Sequence, residues 1–501
     1  MFAFGLYDSR NGTIFLARDR AGEKPCFYWH ANGKFVFASE LKAIMADAEF
    51  SRRVNLDALN HYLAYGYVPA ELCILKGVRK LEQGQAALYS VTEDNLRLWR
   101  YWQLPPAGEV NGAGPESLAD ELAALLLDSV RRQLVADVPV GVLLSGGLDS
   151  SLVAAMATGV APGKVRTFTI SFPGFGTFDE APYARLVANH LGTEHVELEA
   201  APTDIDLLPT LARQYDEPLA DSSMLPTFSV SQLVRSHCAV ALGGDGGDEL
   251  FGGYHHYNWV LLQETARRYL PKGVRNLVSQ FAFRWLPMGF KGRNFLKGVG
   301  GDLAESMSSA TMLFDLLERR QLLQPLGGSG CIDSGPEDRK ASLCDGQLTA
   351  LQQATRADFR QYLVDDILVK VDRASMLASL EVRAPWLDHK IIEFAFTRLP
   401  DNLRATRTER KILSRKVGQR HLPRDLDLRR KQGFSIPLRA WFKAGWAEYF
   451  NTVLDGIDPE VFDKRFIRML LTRERMGLAC GPRLFSLVML ELWRREYKVS
   501  L

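Results

Sequence analysis

Residues 145–151, SGGLDSS, combine residue types that suit the binding of a phosphate group. Serine hydroxyls and backbone N–H groups at the start of a helix hold phosphate oxygens, and the helix dipole favours their negative charge. Asp149 adds a carboxylate that a metal ion could bridge to phosphate. The string lacks the Gly-Lys-Ser/Thr ending of a Walker A motif. A Gly/Ser turn that only caps a helix is the alternative, and the strand-turn-helix context disfavours it.

A second group of chemically informative residues lies at 242–254, LGGDGGDELFGGY. An apolar run ends there in a turn that contains three acids and six glycines. Acidic side chains beside a phosphate loop repel it unless a divalent cation lies between them. A solvated acidic turn is the alternative, but the glycines favour a close approach of the backbone to a ligand.

The first 100 residues have the pattern of a β-rich region. Short apolar runs occupy residues 2–7, 13–17, 27–29 and 35–38. Asn11-Gly12 and Asn32-Gly33 separate these runs in pairs, and Asn-Gly supplies the positive φ angles of tight turns, so two hairpins are predicted. A helix is expected near 56–65 and a further strand near 85–91. Residues 104–116, LPPAGEVNGAGPE, lack apolar periodicity and are predicted to form a linker.

The elements that would position the two glycine-rich segments follow this linker. Apolar residues recur at helical spacing between Leu118 and Val130. Apolar runs typical of buried strands lie at 138–144, 165–172 and 239–242, and a helix is expected from about 152 onward. Strands that alternate with helices predict a parallel α/β sheet. From about 258 onward the pattern is mainly helical, with a Gly/Ser-rich interruption at 326–346.

The string at 145–151 resembles the pyrophosphate loop of the ATP-pyrophosphatase (N-type) superfamily, whose members release pyrophosphate and adenylate an acceptor oxygen. Further segments resemble one family within it, the asparagine synthetases of the glutamine-hydrolysing type, class B. These segments are 216–223 (DEPLADSS), 242–254, 365–388 and 430–437 (RKQGFSIP). For single residues of 365–388, such as Lys370, an ordinary helical charge pair is the alternative. The resemblance covers nearly the whole chain.

The resemblance implies a fold that is partly α+β and partly α/β. A partial Ntn-type antiparallel β glutaminase-like domain would be followed by an adenine-nucleotide α-hydrolase-like parallel α/β domain with a helical C-terminal part. The expected boundaries are 1–103 for the partial glutaminase domain, 104–116 for the linker and 117–501 for the synthetase domain. Within the synthetase domain, the ATP-pyrophosphatase core would span about 117–257 and the mainly helical part about 258–501.

The resemblance also implies a reaction, in which ATP adenylates the side-chain carboxylate of aspartate and ammonia then displaces AMP. By motif match, ATP and pyrophosphate would be bound by Leu144, Ser145, Gly146, Gly147, Asp149, Ser150, Ser151, Ile170, Gly243 and Gly244. Mg²⁺ would be bound by Asp149 and Asp248. Asp245 stands where many members carry a glutamate that assists the attack of ammonia. Arg410 or Lys411 would neutralise phosphate charge, and Lys411 is favoured.

Members of this type begin with a catalytic cysteine, and no cysteine lies near the first residue of this chain. Residues 1–8 instead resemble the middle of the glutaminase domain, so the front of that domain is expected to be missing. Cys26 is expected to be a packed thiol rather than a substitute nucleophile. A misassigned start codon is favoured over a truly short chain, because half a β-sandwich leaves apolar faces uncovered. As given, the chain is expected to use ammonia and not glutamine.

The acceptor stays open at this stage. Aspartate is favoured, a sugar or peptide carboxylate is the second hypothesis, and a decayed nucleotide-binding paralogue without catalysis is the third. The net charge of +2 gives no reason to expect a nucleic-acid or membrane partner. The six scattered cysteines form no C-x-x-C pair, and neither a signal peptide nor an apolar run of roughly 20 residues is present. We therefore expect a cytoplasmic enzyme, with a homodimer as one option.

Overall fold

The computed structural model describes residues 1–108, 112, 114–161, 163–172, 176, 179–199, 205–327, 330, 332–430 and 438–500. Its first hundred residues form two antiparallel sheets, with strand orders β1-β2-β6-β7 and β4-β3-β5. The strands are β1 (Ala3–Asp8), β2 (Thr13–Arg18), β3 (Phe27–Ala31), β4 (Lys34–Ala38), β5 (Val78–Lys80), β6 (Gln85–Ser90) and β7 (Asn95–Arg100). The helices are α1 (Leu41–Ile44) and α2 (Leu56–Tyr65).

Both predicted hairpins are present in this region. β1 pairs with β2 and β3 pairs with β4, each antiparallel, and both Asn-Gly turns contain a glycine with positive φ. Leu16 of β2 and Tyr28 of β3 pack into one small core between the two sheets. β1 lies at the edge of its sheet, and the side chains of Leu6 and Tyr7 there are 60% and 62% exposed. The sequence pattern thus predicted both the pairing and an uncovered apolar surface.

The next part of the chain forms a parallel sheet with helices between its strands. Its elements are α3 (Pro115–Gln133), β8 (Val140–Leu143), α4 (Leu148–Val160), β9 (Arg166–Ser171), α5 (Ala181–Leu191), β10 (Glu194–Glu199), α6 (Leu207–Gln214), α7 (Met224–Arg235), β11 (Val240–Leu242) and α8 (Gly247–Phe251). The strand order is β10-β9-β8-β11-β12, where β12 (Glu381–Arg383) comes from much later in the chain. The chain therefore changes direction across the sheet between β8 and β11.

The remaining residues are mainly helical, as the sequence predicts. The helices are α9 (His255–Tyr269), α10 (Lys272–Trp285), α11 (Arg293–Val299), α12 (Leu303–Thr311), α13 (Leu316–Leu322), α14 (Gly335–Ser342), α15 (Ala350–Arg360), α16 (Leu368–Leu377), α17 (His389–Thr397), α18 (Asp401–Arg404), α19 (Ile412–His421), α20 (Leu438–Trp441), α21 (Ala447–Asp455), α22 (Lys464–Arg475) and α23 (Gly481–Tyr497). π-Helical turns at Leu363–Ile367 and Phe442–Trp446 precede α16 and α21. Within the described part of the chain, no helix combines enough length with enough apolar character to cross a bilayer.

Four details differ from the sequence-based prediction. Helix α14 (Gly335–Ser342) lies inside the Gly/Ser-rich interruption expected at 326–346, because Pro336 and the acids of its first turn favour a helix start. The helix after the phosphate-type loop begins at Leu148, four residues earlier than expected, because the loop itself supplies its first turn. β10 was not predicted, since its sequence EHVELE is mostly charged, as is common in an edge strand. β12 lies in the part expected to be helical and pairs in parallel with β11, so a later segment completes the sheet.

The N-terminal sheets and the rest of the chain share one large apolar core. Residues of β3 and α2 pack there with residues of α6, α7, α22 and α23. Tyr62 of α2 donates a hydrogen bond of 2.7 Å to the carbonyl of Ser486 in α23. Asp216 is fully buried and accepts hydrogen bonds from the backbone N–H of Leu41 and the ammonium of Lys42. A continuous core of this kind holds the two regions in a fixed relative position.

Asp365 adds a buried carboxylate to this contact, and it accepts a 2.9 Å hydrogen bond from the backbone N–H of Ala70. Burial raises the pKa of Asp365 to about 6, above its ordinary value of 3.8. Between these two values the folded protein binds the proton more tightly than the unfolded chain does. The contribution of Asp365 to the free energy of unfolding is therefore fully present below pH 3.8 and is lost as the pH rises through about 6.

We predict that Asp365→Asn removes this part of the pH dependence, because asparagine keeps an acceptor for the Ala70 N–H but cannot ionise. As the pH rises from 3.8 to about 6, the free energy of unfolding of the wild type should fall by at most about 3 kcal/mol more than that of the variant. Urea unfolding followed by fluorescence at several pH values measures this difference. Asp128→Asn, at an acid with a 40% exposed side chain, is the matched control. Equal slopes for wild type and Asp365→Asn would contradict the prediction.

Candidate active site

A cavity of about 700 Å³ opens at the carboxyl ends of β8 and β11, where the strand order changes direction. Ligands of open α/β sheets bind at such a position, because the loops from neighbouring strands diverge there and leave a crevice. Twelve of the sequence-predicted site residues line it: Leu144, Ser145, Gly147, Asp149, Ser150, Ile170, Gly243, Gly244, Asp245, Asp248, Arg410 and Lys411. The fold thus brings together residues from four separate parts of the chain.

Two predicted residues do not line the cavity. Gly146 has a φ of +72°, and a Cβ there would lie 2.5 Å from the Cβ of Tyr183 at the start of α5. Ser151 is fully buried in α4, and no hydrogen-bond partner of its hydroxyl is found among the described residues. Gly146 therefore permits the turn and the packing of α5 against it, while Ser151 faces the interior behind the loop.

The loop after β8 is arranged around its two serines. The hydroxyls of Ser145 and Ser150 lie 3.0 Å apart, and the backbone N–H of Gly147 donates to Ser145 Oγ at 3.2 Å. No side chain caps the N-terminus of α4 in the described structure. The beginning of a helix without such a cap is a suitable place for an anion, because backbone N–H groups point out of it. The loop therefore has the geometry of a phosphate cradle.

The centre of the site is an ammonium group between two carboxylates. Lys411 Nζ contacts Asp149 Oδ2 and lies 2.5 Å from Asp248 Oδ1. Burial lowers the pKa of Lys411, but the charges of the two aspartates outweigh this effect, and its pKa lies above the usual value for lysine. Because Asp149 Oδ2 and Asp248 Oδ1 contact the same nitrogen, Lys411 Nζ, these two carboxylate oxygens lie close to each other.

This pair of carboxylates could also hold a divalent cation. Mg²⁺ prefers oxygen ligands and usually shares one or two carboxylates with phosphate oxygens and water. Among the described residues, no group of three or more His, Cys, Asp or Glu side chains that could hold a metal is found. The donor set of Asp149 and Asp248 therefore fits a cation that arrives with a phosphate ligand.

Two glycines leave the space that this cluster needs. A Cβ on Gly247 would lie 2.5 Å from Asp149 Cγ, and a Cβ on Gly253 would overlap both Asp248 and Lys411. Lys411 itself has a φ of +51°, in the left-handed region that residues other than glycine rarely adopt. Backbone strain of this kind is concentrated at functional sites, where the surroundings enforce it.

Arg410 and Lys411 have different positions although they are neighbours in sequence. The guanidinium of Arg410 donates a 2.9 Å hydrogen bond to the carbonyl of Gly253, and burial lowers its pKa. It thereby holds the end of the acidic turn, while Lys411 reaches the carboxylates. Arg415, on the next turn of α19, also lines the cavity and was not predicted.

The cavity lining also carries a second charged group, built on Lys370. Its ammonium lies 2.9 Å from Asp221 Oδ2, and Asp221 also accepts hydrogen bonds from the N–H and hydroxyl of Ser223. Burial raises the pKa of Asp245 beside them, and the charge of Lys370 acts against this shift. In the sequence, Lys370 belongs to the family-like segment 365–388, but an ordinary charge pair within one helix was an equally good interpretation of it. The structure shows that its partner comes from another element.

Apolar side chains form a further part of the cavity wall. Leu144 and Ile170, both nearly fully buried, lie there with Phe168 of β9, Val230 of α7 and Val382 of β12. Flat apolar walls beside a phosphate cradle suit an aromatic base, because pockets bind most of a ligand through apolar contact and orient it with few polar groups.

The motif at 430–437 is described only at its first residue. Arg430 lines the cavity, and its guanidinium lies 3.9 Å from the ring centroid of Tyr183 and 3.4 Å from the carboxylate of Glu180. Residues 431–437 lie outside the described residues. Arg430 therefore holds the start of this motif against α5 at the rim of the cavity.

A parallel sheet whose switch point carries a Gly/Ser loop and a buried acid pair defines a nucleotide-dependent α/β enzyme. The family model described as asparagine synthase matches residues 121–495, and the model of the glutamine amidotransferase domain matches residues 1–102. The chain belongs to the asparagine synthase family and is an ATP-dependent carbon–nitrogen ligase. The resemblance inferred from the motifs is thus confirmed.

Individual relatives match most of the chain. It is 32% identical to a putative glutamine-hydrolysing asparagine synthetase of Mycobacterium tuberculosis (strain H37Rv), over 98% of this chain and 76% of the relative. It is 28% identical to glutamine-hydrolysing asparagine synthetase 1 of Bacillus subtilis (strain 168), over 94% and 73%. A putative glutamine-hydrolysing asparagine synthetase 2 of Methanocaldococcus jannaschii is 38% identical, over 56% of this chain and 54% of the relative.

The contact between Gly247 and Asp149 gives a test of the site that leaves its charges unchanged. We predict that Gly247→Ala lowers ATP-dependent AMP release about 100-fold or more, because the new methyl group displaces a carboxylate of the central cluster. Gly346→Ala is the matched control, since a Cβ there meets nothing within 4 Å. Circular dichroism and the thermal unfolding midpoint check that both variants fold. Full activity of a folded Gly247→Ala variant would contradict this geometry.

Proposed function

We propose that this chain converts aspartate into asparagine through a β-aspartyl adenylate, with release of AMP and pyrophosphate. The observation that carries the proposal is the cluster of Asp149, Asp248 and Lys411 beside the Gly/Ser loop. The transfer of a nucleotidyl group requires positive charge for the phosphates and acids that can hold a cation. This cluster places both kinds of group next to the Gly/Ser loop.

The first step forms the adenylate. An oxygen of the aspartate side chain attacks the α-phosphorus of ATP, and the bond to the bridging oxygen of pyrophosphate breaks. Adenylation is needed because a free carboxylate is a poor electrophile at neutral pH. Ser145 and Ser150 would hold the departing pyrophosphate, and Lys411 would neutralise the negative charge that develops on it. A Mg²⁺ ion held by Asp149 and Asp248 would add positive charge at the phosphate oxygens.

Lys411 has a double function in this proposal. In the described structure its ammonium lies where a cation between the two carboxylates would lie. With a divalent cation held by these carboxylates, Lys411 would turn its ammonium toward the phosphates, and the acid pair would keep a positively charged partner. Arg410, which donates to the carbonyl of Gly253, would support this arrangement from behind.

The second step forms the amide. Ammonia attacks the acyl carbon, the bond to the AMP oxygen breaks, and one proton leaves the new nitrogen. Asp245 is the proposed acceptor of that proton, because its raised pKa makes it a stronger base than an exposed aspartate. Lys370 and Asp221 lie near Asp245 in the cavity lining, and we propose that these three residues form the acceptor subsite.

We further propose two functional units, a glutaminase-like region at 1–103 and a synthetase region at 117–501, with an ATP-pyrophosphatase core at about 117–257. The parallel sheet supports the core assignment, and β12 extends it by a strand from the helical part. Part of the proposed linker, at 109–111 and 113, lies outside the described residues.

The described cysteines support the use of ammonia by this chain. Burial raises the pKa of Cys26 to about 11, and it also raises the pKa of Cys73, Cys238, Cys344 and Cys480. A thiol becomes a nucleophile when its pKa is lowered, so none of these five is suited to attack glutamine. Cys331 lies outside the described residues.

We predict that the chain releases AMP with aspartate, MgATP and ammonium chloride, and that glutamine does not replace ammonia.

ATP–pyrophosphate exchange without ammonia tests the acceptor separately, with aspartate, a hexuronate and a small peptide acid as alternatives. Exchange that depends on a hexuronate or peptide acid instead would overturn the aspartate assignment. A failure to exchange with any acceptor would leave a binding protein without catalysis and would overturn the whole proposal.

The acid pair is tested by substitution. We predict that Asp149→Ala and Asp248→Ala each lower AMP release at least about 100-fold, because the site loses a carboxylate that holds the cation. Asp128→Ala, at a half-exposed acid of α3, is the matched control and should keep normal activity. Wild-type turnover in a folded Asp149→Ala variant would refute the proposed cation site.

A further inference from the structure

A segment away from the active site combines exposed apolar side chains with a local excess of positive charge. Residues 255–300 contain eight lysines and arginines but a single acid, Glu264, whereas the whole chain carries a net charge of only +2. The average over the chain therefore conceals a strongly basic region. It covers α9, α10 and α11.

α10 presents its apolar face to solvent. Val274, Leu277, Phe281 and Trp285 are 45%, 68%, 56% and 72% exposed. Their spacing of three and four residues places them in one stripe along the helix. Ala282 is the single buried residue of this helix. A surface helix normally buries its apolar stripe, so this face lacks a covering element within the described part of the chain.

The residues around α10 extend the patch. Tyr269 precedes the helix and is 72% exposed, and Phe290 follows it and is 47% exposed. Four basic residues of the same region are also exposed: Arg268, Lys272, Arg284 and Lys291. No ion pair of these four with a described residue is found, whereas the less exposed Arg293 and Lys297 pair with Glu318 and Asp315. The exposed charges are therefore available to a partner.

We propose that the α10 face is a docking surface for an anionic lipid bilayer, on which the helix lies parallel to the membrane plane. Aromatic and leucine side chains on one stripe suit the apolar boundary of a bilayer, and Lys and Arg beside it attract anionic headgroups. This inference is independent of the proposed reaction, because the active-site cavity is lined by other residues.

Charge decides against a second copy of the chain as the occupant. In a twofold dimer the same patch faces itself, so Arg268, Lys272, Arg284 and Lys291 would lie against the same four residues. Like charges at a desolvated interface oppose association. An acidic protein is compatible with the charges, but the stripe of Leu277, Phe281 and Trp285 is typical of helices that insert into the boundary of a membrane.

Vesicle co-sedimentation of the purified full chain tests the proposal. We expect binding to phosphatidylcholine vesicles that contain phosphatidylglycerol, and much weaker binding to vesicles of phosphatidylcholine alone. Lys272→Gln/Arg284→Gln should weaken binding to the anionic vesicles roughly thirty-fold, since each basic residue near such a surface contributes about fivefold. Leu277→Ser/Trp285→Ser should weaken binding to both kinds of vesicle. Met476→Ser, at an apolar residue that is 76% exposed elsewhere, should bind like wild type.

All variants should keep wild-type ATP–pyrophosphate exchange, which shows that they fold and separates this proposal from the catalytic one. The proposal is overturned if wild type does not bind anionic vesicles, or if Met476→Ser weakens binding as much as the α10 variants do. It is also overturned if light scattering shows a dimer that Leu277→Ser/Trp285→Ser dissociates, which would assign the face to a second copy. Lipid-free binding to polyglutamate with the same residue dependence would assign it to an acidic protein instead.

Discussion

The candidate active site depends on a single electrostatic constraint, which is that two largely buried carboxylates can lie close together only around a cation. Asp149 and Asp248 come from the first turns of two different helices, α4 and α8, and Lys411 from a third segment holds them together in the described structure. An unpaired buried charge costs several kcal/mol, so each member of the cluster requires the others. The strained backbone of Lys411 and the two glycines that face the cluster follow from this requirement.

The same constraint would allow the proposed metal ion to share the site with a lysine. The carboxylates need positive charge at all times, whether or not a nucleotide is bound. Lys411 between them supplies one positive charge against two negative ones, and in the proposed function a divalent cation held by the two acids would supply the rest. In the proposed function, such a site would accept a highly charged substrate without a large rearrangement, which favours electrostatic catalysis.

A second feature of the molecule is the connection of the N-terminal sheets to the catalytic region. The segment 216–223 contributes to both. Glu217 accepts a 2.8 Å hydrogen bond from the N–H of Ile74 and pairs with Lys80, while Asp221 faces the cavity and pairs with Lys370. α16 likewise connects both regions, since Asp372 pairs with Lys24 of the N-terminal region, while Lys370, two residues earlier in the helix, pairs with Asp221. Some residues of these family-like motifs therefore line the cavity, while others hold the N-terminal region against the rest of the chain.

Local sequence predicted the elements whose cause is local. The Asn-Gly pairs determined both hairpins, and the helix at Leu56–Tyr65 has the predicted bounds, with Asn55 as its cap. The strand before the loop at 145–151 was also predicted. The strands that sequence missed are β10, whose charged residues belong to a sheet edge, and β12, which is three residues long and exists because β11 offers it a parallel partner. Strand pairing across more than a hundred residues leaves no local signal.

The sequence by itself determined the chemistry of this protein, because the glycine, serine and aspartate strings specify a phosphate-binding turn and an acidic turn from residue types alone. Only the tertiary structure decided which residues meet. It separated Lys411 from Arg410, moved Gly146 and Ser151 out of the cavity lining, and paired Lys370 with Asp221. The physical reason is that a charged side chain can be assigned a role only when its partners are known, and these partners lie between about a hundred and three hundred residues away along the chain.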